Sequence, residues 1–245
     1  MRNLKRTLSL ALASVMLVGM MSVGASAVNA SDFTDADEIV NKDAVSTMTA
    51  LGIINGKEDG SYFDPTGNVT RAEMAKMLCV AINGGVDPVL GVKDTPTFTD
   101  IKGTWAESYI EYCAANGIIA GRGNNKFDPT GTVSATEAAK MLLGVLGYSA
   151  EKSGLVGNDW AINTNVLANQ NGLYKKLANL NANTLLTRDN AAQMIYNALD
   201  ANMVELNAAG NYTTSQYSYT GTESVVTGTE RVWVVKIKDS SVNDA

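Results

Sequence analysis

The feature that most constrains this chain is a short segment that occurs three times. Thr70-Arg71-Ala72-Glu73, Ser134-Ala135-Thr136-Glu137 and Thr187-Arg188-Asp189-Asn190 each open a run of apolar residues with helical spacing. Regular recurrence of this kind indicates a repeat protein. Because a single pair of short helices cannot bury its own apolar face, the copies are expected to share one core. We therefore predict one compact, mainly helical domain over residues 31–205, built from three copies.

Two of the three segments carry a helix-capping signature. Ser or Thr followed three residues later by Glu forms a capping box, in which each side chain bonds a free backbone N–H at the helix start. Thr70 with Glu73 and Ser134 with Glu137 fit this pattern. Thr187 keeps the hydroxyl but is followed by Asn190 in the Glu position. The third cap is therefore predicted to be weaker.

Capping does not explain the arginines at positions 71 and 188. A cation in the first helical turn faces the positive end of the helix dipole, which is mildly unfavourable. Arg71 and Arg188 are therefore candidates for a functional role. The alternative is a solvated arginine, because Arg is otherwise a good helix former.

Each copy has the same order of parts. A first helix is predicted over residues 37–51, 104–116 or 159–171, and each ends just before a glycine suited to a left-handed C-terminal cap. These glycines are Gly52, Gly117 and Gly172. A polar loop follows, and then the capped second helix. The second helices carry apolar stripes at i, i+3, i+4 and i+7, which are predicted to face the core: Met74, Met77, Leu78 and Ala81; Ala138, Met141, Leu142 and Val145; Ala191, Met194, Ile195 and Ala198.

Residues 1–27 have the pattern of a secretory signal. A basic start with Arg2, Lys5 and Arg6 precedes an apolar stretch and then Ala25-Ser26-Ala27, an A-x-A cleavage signature. The apolar stretch is short for a membrane span, so the alternative of an uncleaved anchor is disfavoured. We expect an exported protein with no membrane segment after cleavage.

Charge and composition exclude several classes of function. The formal charge is −6, and loss of the three basic residues of the signal makes it more negative, which argues against a nucleic-acid partner. An acidic ligand would have to be held by local cations. The chain has no histidine, which excludes Ser-His-Asp and Cys-His catalysis and histidine metal sites within it. No cofactor or metal is expected, and the glycine-rich loop from Asn55 to Gly60 lacks the acidic spacing of a calcium loop.

Cys79 and Cys113 are the only cysteines, and both fall on apolar helix positions. Buried free thiols are the first interpretation, and a disulfide stays open for an exported chain. After Leu206 the helical period stops, and residues 231–237 are predicted to form a β-strand. Because one or two strands alone are unstable, the tail either packs on the helical domain or begins a further β-rich region of a longer polypeptide.

The ordered pattern Phe-Thr-Asp, Trp-Ala, Gly-Ile-Ile, Phe-Asp-Pro-Thr-Gly and Thr-Arg-Ala-Glu resembles the S-layer homology (SLH) domain. The resemblance covers about residues 31–205 and is weaker in the third copy, whose loop lacks Phe-Asp-Pro. It divides the chain into a signal peptide (1–27), three repeats (31–86, 96–149 and a divergent 150–205) and a β-prone tail (206–245).

The resemblance implies a pseudo-threefold bundle with grooves that bind secondary cell-wall polysaccharide, a polymer linked to peptidoglycan and often pyruvylated. Its implied ligand residues are Arg71, Arg188, Trp105, Trp160, Asp35 and Asp100. Guanidinium pairs a carboxylate through two parallel bonds. The tryptophans suit a sugar ring or, alternatively, an interface core. The aspartates suit sugar hydroxyls or, alternatively, a turn.

Two departures from the pattern argue against three equivalent sites: Ala135 stands where the second arginine is expected, and Val40 stands where the first tryptophan is expected. The function implied is non-covalent anchoring of an exported, non-enzymatic chain to the cell wall. Two alternatives stay open. In the first, the chain is the anchoring front end of a wall or polysaccharide hydrolase whose catalytic part is absent here. In the second, it is the anchoring front end of an S-layer lattice subunit.

Overall fold

The computed structural model describes residues 28–177, 180–181 and 183–214, and the backbone of two strands over 217–227 and 230–239. The predicted signal peptide lies outside these residues. Six α-helices dominate the part described: α1 (Lys42–Ala50), α2 (Arg71–Ile82), α3 (Glu107–Ala115), α4 (Ala135–Val145), α5 (Trp160–Gln170) and α6 (Arg188–Leu199). The predicted mainly helical fold is confirmed. In this part of the chain, no helix combines the length and apolar character needed to cross a membrane.

The described residues form two compact units. The first contains residues 28–134 and 185–192, and the second contains residues 135–184 and those from 193 onward. In the first unit, α2 packs against α3, and in the second, α4 packs against α5. Each packing pair joins the second helix of one repeat to the first helix of the next.

The glycines after the first helices act as predicted. Gly52, Gly117 and Gly172 have φ angles of +69°, +71° and +71°. In each case the N–H of the following residue donates to a carbonyl five residues back, as in Ile118 to Cys113 at 2.9 Å. This is the Schellman arrangement, which satisfies free carbonyls at the helix end.

The start of the first helix was predicted incorrectly. The sequence predicts helix from residue 37, but α1 begins at Lys42, after a short 3-10 turn over Ala36–Glu38. The third helix likewise begins at Glu107, after its predicted start at residue 104. Asn41, directly before α1, contacts the third repeat: its backbone N–H donates to Asp189 Oδ1 at 3.0 Å and its side-chain amide donates to Asp189 Oδ2 at 2.6 Å.

The segments that precede the second helices meet in the first unit in a closed ring of hydrogen bonds. The Val69 N–H donates to Leu186 O at 2.9 Å, Leu186 N–H to Val133 O at 2.8 Å, and Val133 N–H to Val69 O at 2.9 Å. All three side chains are fully buried. The ring thus joins one backbone segment from each of the three repeats within the first unit.

The core repeats itself in the same way. Phe33 lies against Phe63 with ring centroids 5.4 Å apart, and Phe98 lies against Phe127 at 5.5 Å. The beginning of each predicted stripe, such as Met74 and Leu78, is buried. Cys79 and Cys113 are buried free thiols, which confirms the first interpretation of the two cysteines. The hydrogen bond to Cys79, together with burial, raises the pKa of the Cys113 thiol.

The end of the described chain is β-structured. In the second unit β1 (Val204–Leu206) pairs antiparallel with β2 (Tyr212–Thr214), and β3 (Tyr217–Thr227) pairs antiparallel with β4 (Glu230–Asp239). The predicted strand over 231–237 is therefore present within β4, whereas β3 was not foreseen. The β1–β2 pair packs on the helices of its unit, since Val204 N–H donates to Leu146 O at 2.8 Å.

Candidate functional site

The signature arginines point into the fold. Arg71 is 3% exposed and Arg188 is 6% exposed. Arg71 Nε donates to Phe127 O at 2.8 Å and its guanidinium also donates to Ala120 O at 2.7 Å. Both acceptors lie in the loop of the following repeat.

Arg188 makes the same contacts with another loop. Its Nε donates to Phe63 O at 2.8 Å and a terminal nitrogen donates to Asn55 O at 2.9 Å. Its guanidinium carbon lies 5.0 Å from the centroid of the Phe63 ring, and the Arg71 carbon lies 4.4 Å from that of Phe127. Burial lowers the pKa of Arg188. An arginine nevertheless stays charged at neutral pH.

Asp35 and Asp100 are engaged with backbone amides of the same loops. Asp100 accepts from Phe127 N–H at 2.9 Å through Oδ1 and from Asp128 N–H at 2.8 Å through Oδ2. Asp35 accepts from the matching residues of the first repeat at 2.9 Å and 2.7 Å. Each Phe-Asp-Pro loop is thus held by a carboxylate from its own repeat and by an arginine from another.

The hydrogen bonds from the backbone N–H groups also shift the pKa of the Asp100 carboxyl. Burial alone would raise the pKa of this carboxyl, but the bonds from Phe127 and Asp128 outweigh burial and lower it. A group with a lowered folded-state pKa contributes stability above its unfolded pKa, and that contribution is lost as the pH falls through the folded pKa.

We therefore expect Asp100→Asn to lower the free energy of unfolding at pH 7 by about 1–2 kcal/mol, because one amide loses its acceptor. The variant should also lose stability less steeply than the wild type as the pH falls below about 4. Denaturant titrations at pH 7 and at a series of acidic pH values measure both effects. An unchanged acid slope would show that Asp100 is not one of the titrating groups.

The helix caps are built locally. The Thr70 hydroxyl accepts from Glu73 N–H at 3.2 Å, and Glu73 accepts from Thr70 N–H at 2.8 Å, which makes a complete capping box at the start of α2. At the third cap the Thr187 hydroxyl accepts from Asn190 N–H at 3.3 Å. Helix α4 begins at Ala135, directly after Ser134, and Glu137 lies in its first turn.

Ala135 lies at the junction with the third repeat, whose loop lacks Phe-Asp-Pro. Ala135 N–H donates to Thr184 O at 3.0 Å, as Arg71 N–H donates to Gly131 O and Arg188 N–H to Gly67 O. The backbone of Ala135 therefore makes the same hydrogen bond as the backbones of the two arginines. The loop of the third repeat, however, has no Phe-Asp-Pro segment that could accept bonds from a guanidinium.

A different network connects the second and third repeats. Asn165 Nδ2 donates to the Thr136 hydroxyl at 3.1 Å, and the Tyr174 hydroxyl donates to Asn165 Oδ1 at 2.6 Å. Burial raises the pKa of Tyr174 to about 12, so its hydroxyl stays protonated at neutral pH. The second and third repeats are therefore joined here by side-chain hydrogen bonds among Thr136, Asn165 and Tyr174 rather than by a buried arginine.

The tryptophans lie at the surface. Trp105 is 60% exposed, and its ring centroid lies 6.3 Å from that of Tyr109. Trp160, the first residue of α5, is half-buried. Val40, which holds the tryptophan position of the first repeat, is 82% exposed. This position therefore faces solvent in the first two repeats and is partly exposed in the third.

Sequence reasoning missed two lysines beside these aromatic residues. Lys76 Nζ lies 5.4 Å from the centroid of the Tyr109 ring, and Lys140 Nζ lies 5.2 Å from that of Trp160. The signal was present in the sequence, since each lysine stands at the same place in its capped helix, five residues after Arg71 or Ala135. In the described part of the chain, no group of three or more Cys, Asp or Glu residues is placed to hold a metal ion.

Comparison with known proteins shows what this chain is similar to. The S-layer homology domain matches residues 32–75 and 97–139, within the first two repeats. An S-layer protein of Bacillus licheniformis is 30% identical over 113 residues, which cover 46% of this chain and 12% of that protein. A cell surface protein of Thermoanaerobacter kivui is 28% identical over 207 residues, or 84% of this chain and 26% of that protein.

A third relative is an enzyme. Exoglucanase XynX of Acetivibrio thermocellus is 28% identical over 156 residues, which cover 60% of this chain and 14% of the enzyme. The chain thus spans about a quarter or less of the length of these relatives. The chain therefore carries the S-layer homology domain over residues 32–75 and 97–139, and it is similar to S-layer and cell-surface proteins.

Proposed function

We propose that the chain anchors an exported protein to the bacterial cell wall, without a covalent bond, by binding a secondary cell-wall polysaccharide that carries pyruvate ketals. The observation that carries this proposal is the S-layer homology match over residues 32–75 and 97–139. S-layer homology repeats are non-catalytic anchoring modules, and the family localises this chain to the cell wall or cell surface.

The exposed aromatic surface supports a carbohydrate ligand. Trp105, at 60% exposure, presents a large aromatic ring to solvent beside the ring of Tyr109. A flat aromatic face suits the apolar face of a sugar ring. Trp160 holds the same place in the third repeat.

The charge of the chain supports a ligand held locally. With a formal charge of −6 the overall field repels an acidic polymer, so binding has to rely on cations close to the sugar. Arg71, Arg188, Asp35 and Asp100 stay in the proposed site. We propose that they hold the loops beside the ligand, through the backbone contacts described above.

Co-sedimentation of the full chain with purified Gram-positive cell walls tests the proposal. Walls are compared before and after chemical removal of the non-peptidoglycan polymer. We expect the chain to pellet with intact walls and to stay in solution with stripped walls. Equal binding to both would contradict the polymer model and assign the interaction to peptidoglycan.

The similarity to an exoglucanase favours a second candidate, in which these repeats are the anchoring part of a longer polysaccharide hydrolase. The similarity to an S-layer protein favours a lattice subunit in the same way. The sequence encoded next to these residues distinguishes the hydrolase from the lattice subunit. A glycosidase domain with paired carboxylates supports the hydrolase, and assembly of the full-length product into sheets supports the lattice subunit.

A further inference from the structure

The most accessible cations beside the exposed aromatic rings are lysines rather than the signature arginines. Lys76 has a side chain 39% exposed, whereas Arg71 in the same helix is 3% exposed. Lys76 extends from α2 over the ring of Tyr109 in α3, and Trp105 lies next to that ring. A cation and two aromatic rings thus share one patch of the first unit.

This patch already holds a carboxylate. Asp87, in the linker after α2, accepts from the Tyr109 hydroxyl at 2.7 Å through Oδ1 and pairs with Lys76 Nζ at 3.2 Å through Oδ2. Asp87 is itself 48% exposed. Two donors from different helices therefore converge on a carboxylate at the surface, beside an exposed indole.

The second unit repeats the pairing. Lys140 extends from α4 over the ring of Trp160 at the start of α5, at 5.2 Å. The third capped helix has Gln193 in the lysine position, and the first repeat has Val40 in the tryptophan position. The cation and the aromatic residue are thus both present in two places and both replaced in the third.

We infer that Lys76 with Trp105 and Tyr109, and Lys140 with Trp160, form two subsites for an acidic saccharide, in which the ammonium group meets the sugar's carboxylate and the aromatic ring meets the sugar face. The inference rests on the proposed function and specifies which residues recognise the ligand. At the first subsite Asp87 occupies the position of the ligand's carboxylate, and the ligand displaces it.

The lysines and the arginines predict binding at different repeats. The arginines mark the first and third capped helices, whereas the lysines mark the first and second. Lys140 lies in the helix that begins with Ala135, the position at which the resemblance predicts an altered groove. The two assignments therefore differ most in the effect expected of a change at Lys140.

The test measures the affinity of the full chain for purified Gram-positive cell walls, with stripped walls as the reference. We expect Lys76→Ala with Lys140→Ala to weaken binding about tenfold, and Lys→Arg at both positions to restore it. Lys42→Ala, an exposed lysine at the start of α1, is the matched control and should bind as the wild type does. Thermal unfolding of each variant checks that the fold is kept.

Asp87→Asn provides a readout that a merely structural role would not give. Removing the competing charge should tighten binding about threefold and increase its sensitivity to salt, because the ligand's carboxylate then pairs with Lys76 unopposed. Wild-type affinity in the double lysine variant overturns the subsites while leaving wall anchoring intact. Failure of the wild type to distinguish intact from stripped walls overturns the anchoring proposal and the subsites together.

Discussion

Replacing Arg188 with Ala is expected to lower the free energy of unfolding by about 3 kcal/mol. The side chain is buried, donates to Phe63 O at 2.8 Å and Asn55 O at 2.9 Å, and lies over the Phe63 ring. Its removal leaves two carbonyls without their donors and opens a cavity under the loop. Urea unfolding followed by circular dichroism measures the loss.

One further variant separates the shape of the arginine from its charge, and a second serves as a surface control. Arg188→Lys keeps the charge but cannot present the planar fork, so an intermediate loss of about 1–2 kcal/mol is expected. Arg122→Ala is the surface control, because Arg122 pairs with the partly exposed Asp128 and should cost about 1 kcal/mol or less. An Arg188→Ala variant as stable as the wild type would show that the loop does not depend on this side chain.

Restoring the family arginine at position 135 is expected to destabilise this chain. Ala135 is fully buried, and the junction behind it is filled by the bonds between Thr136, Asn165 and Tyr174. A guanidinium placed there meets a loop without Phe-Asp-Pro, so Ala135→Arg should cost about 3 kcal/mol through overpacking and an unsatisfied charge.

Ala135→Ser is the matched control, since a small polar side chain adds little volume and should cost about 1 kcal/mol. The measurement is again the urea midpoint, with the slope checked for two-state behaviour. If Ala135→Arg were neutral, the third repeat would accept a guanidinium without Phe-Asp-Pro, and the packing argument for this position would be wrong.

Local signals in the sequence were sufficient for most of the helical framework. Gly52, Gly117 and Gly172 end their helices where expected, because a left-handed cap depends on the glycine itself. The start of α1 was predicted too early, and the hydrogen bond from Asn41 to Asp189 beside it joins residues that are distant in the chain. Propensity within a short window contains no information about such a contact.

The candidate site was harder to predict for the same reason. The sequence singled out Arg71 as unexplained by helix energetics, but its direction is set by carbonyls at Ala120 and Phe127, in the next repeat. The lysine at position 76 resembled any solvated helix residue until Tyr109 and Asp87 were placed beside it. Residue type was readable from the sequence, whereas the partners came from the next repeat or, for Asp87, from the linker between repeats.

The ring formed by Val69, Val133 and Leu186 bears on how such a chain matures. A polypeptide that is made from its amino end presents Val69 first and Leu186 last. Until the last segment emerges, Val69 N–H and Val133 O both lack their partners, and the core around them stays open to water. Contacts so distant in sequence slow folding. The ring of backbone hydrogen bonds therefore closes only when the segment around Leu186, in the third repeat, is available.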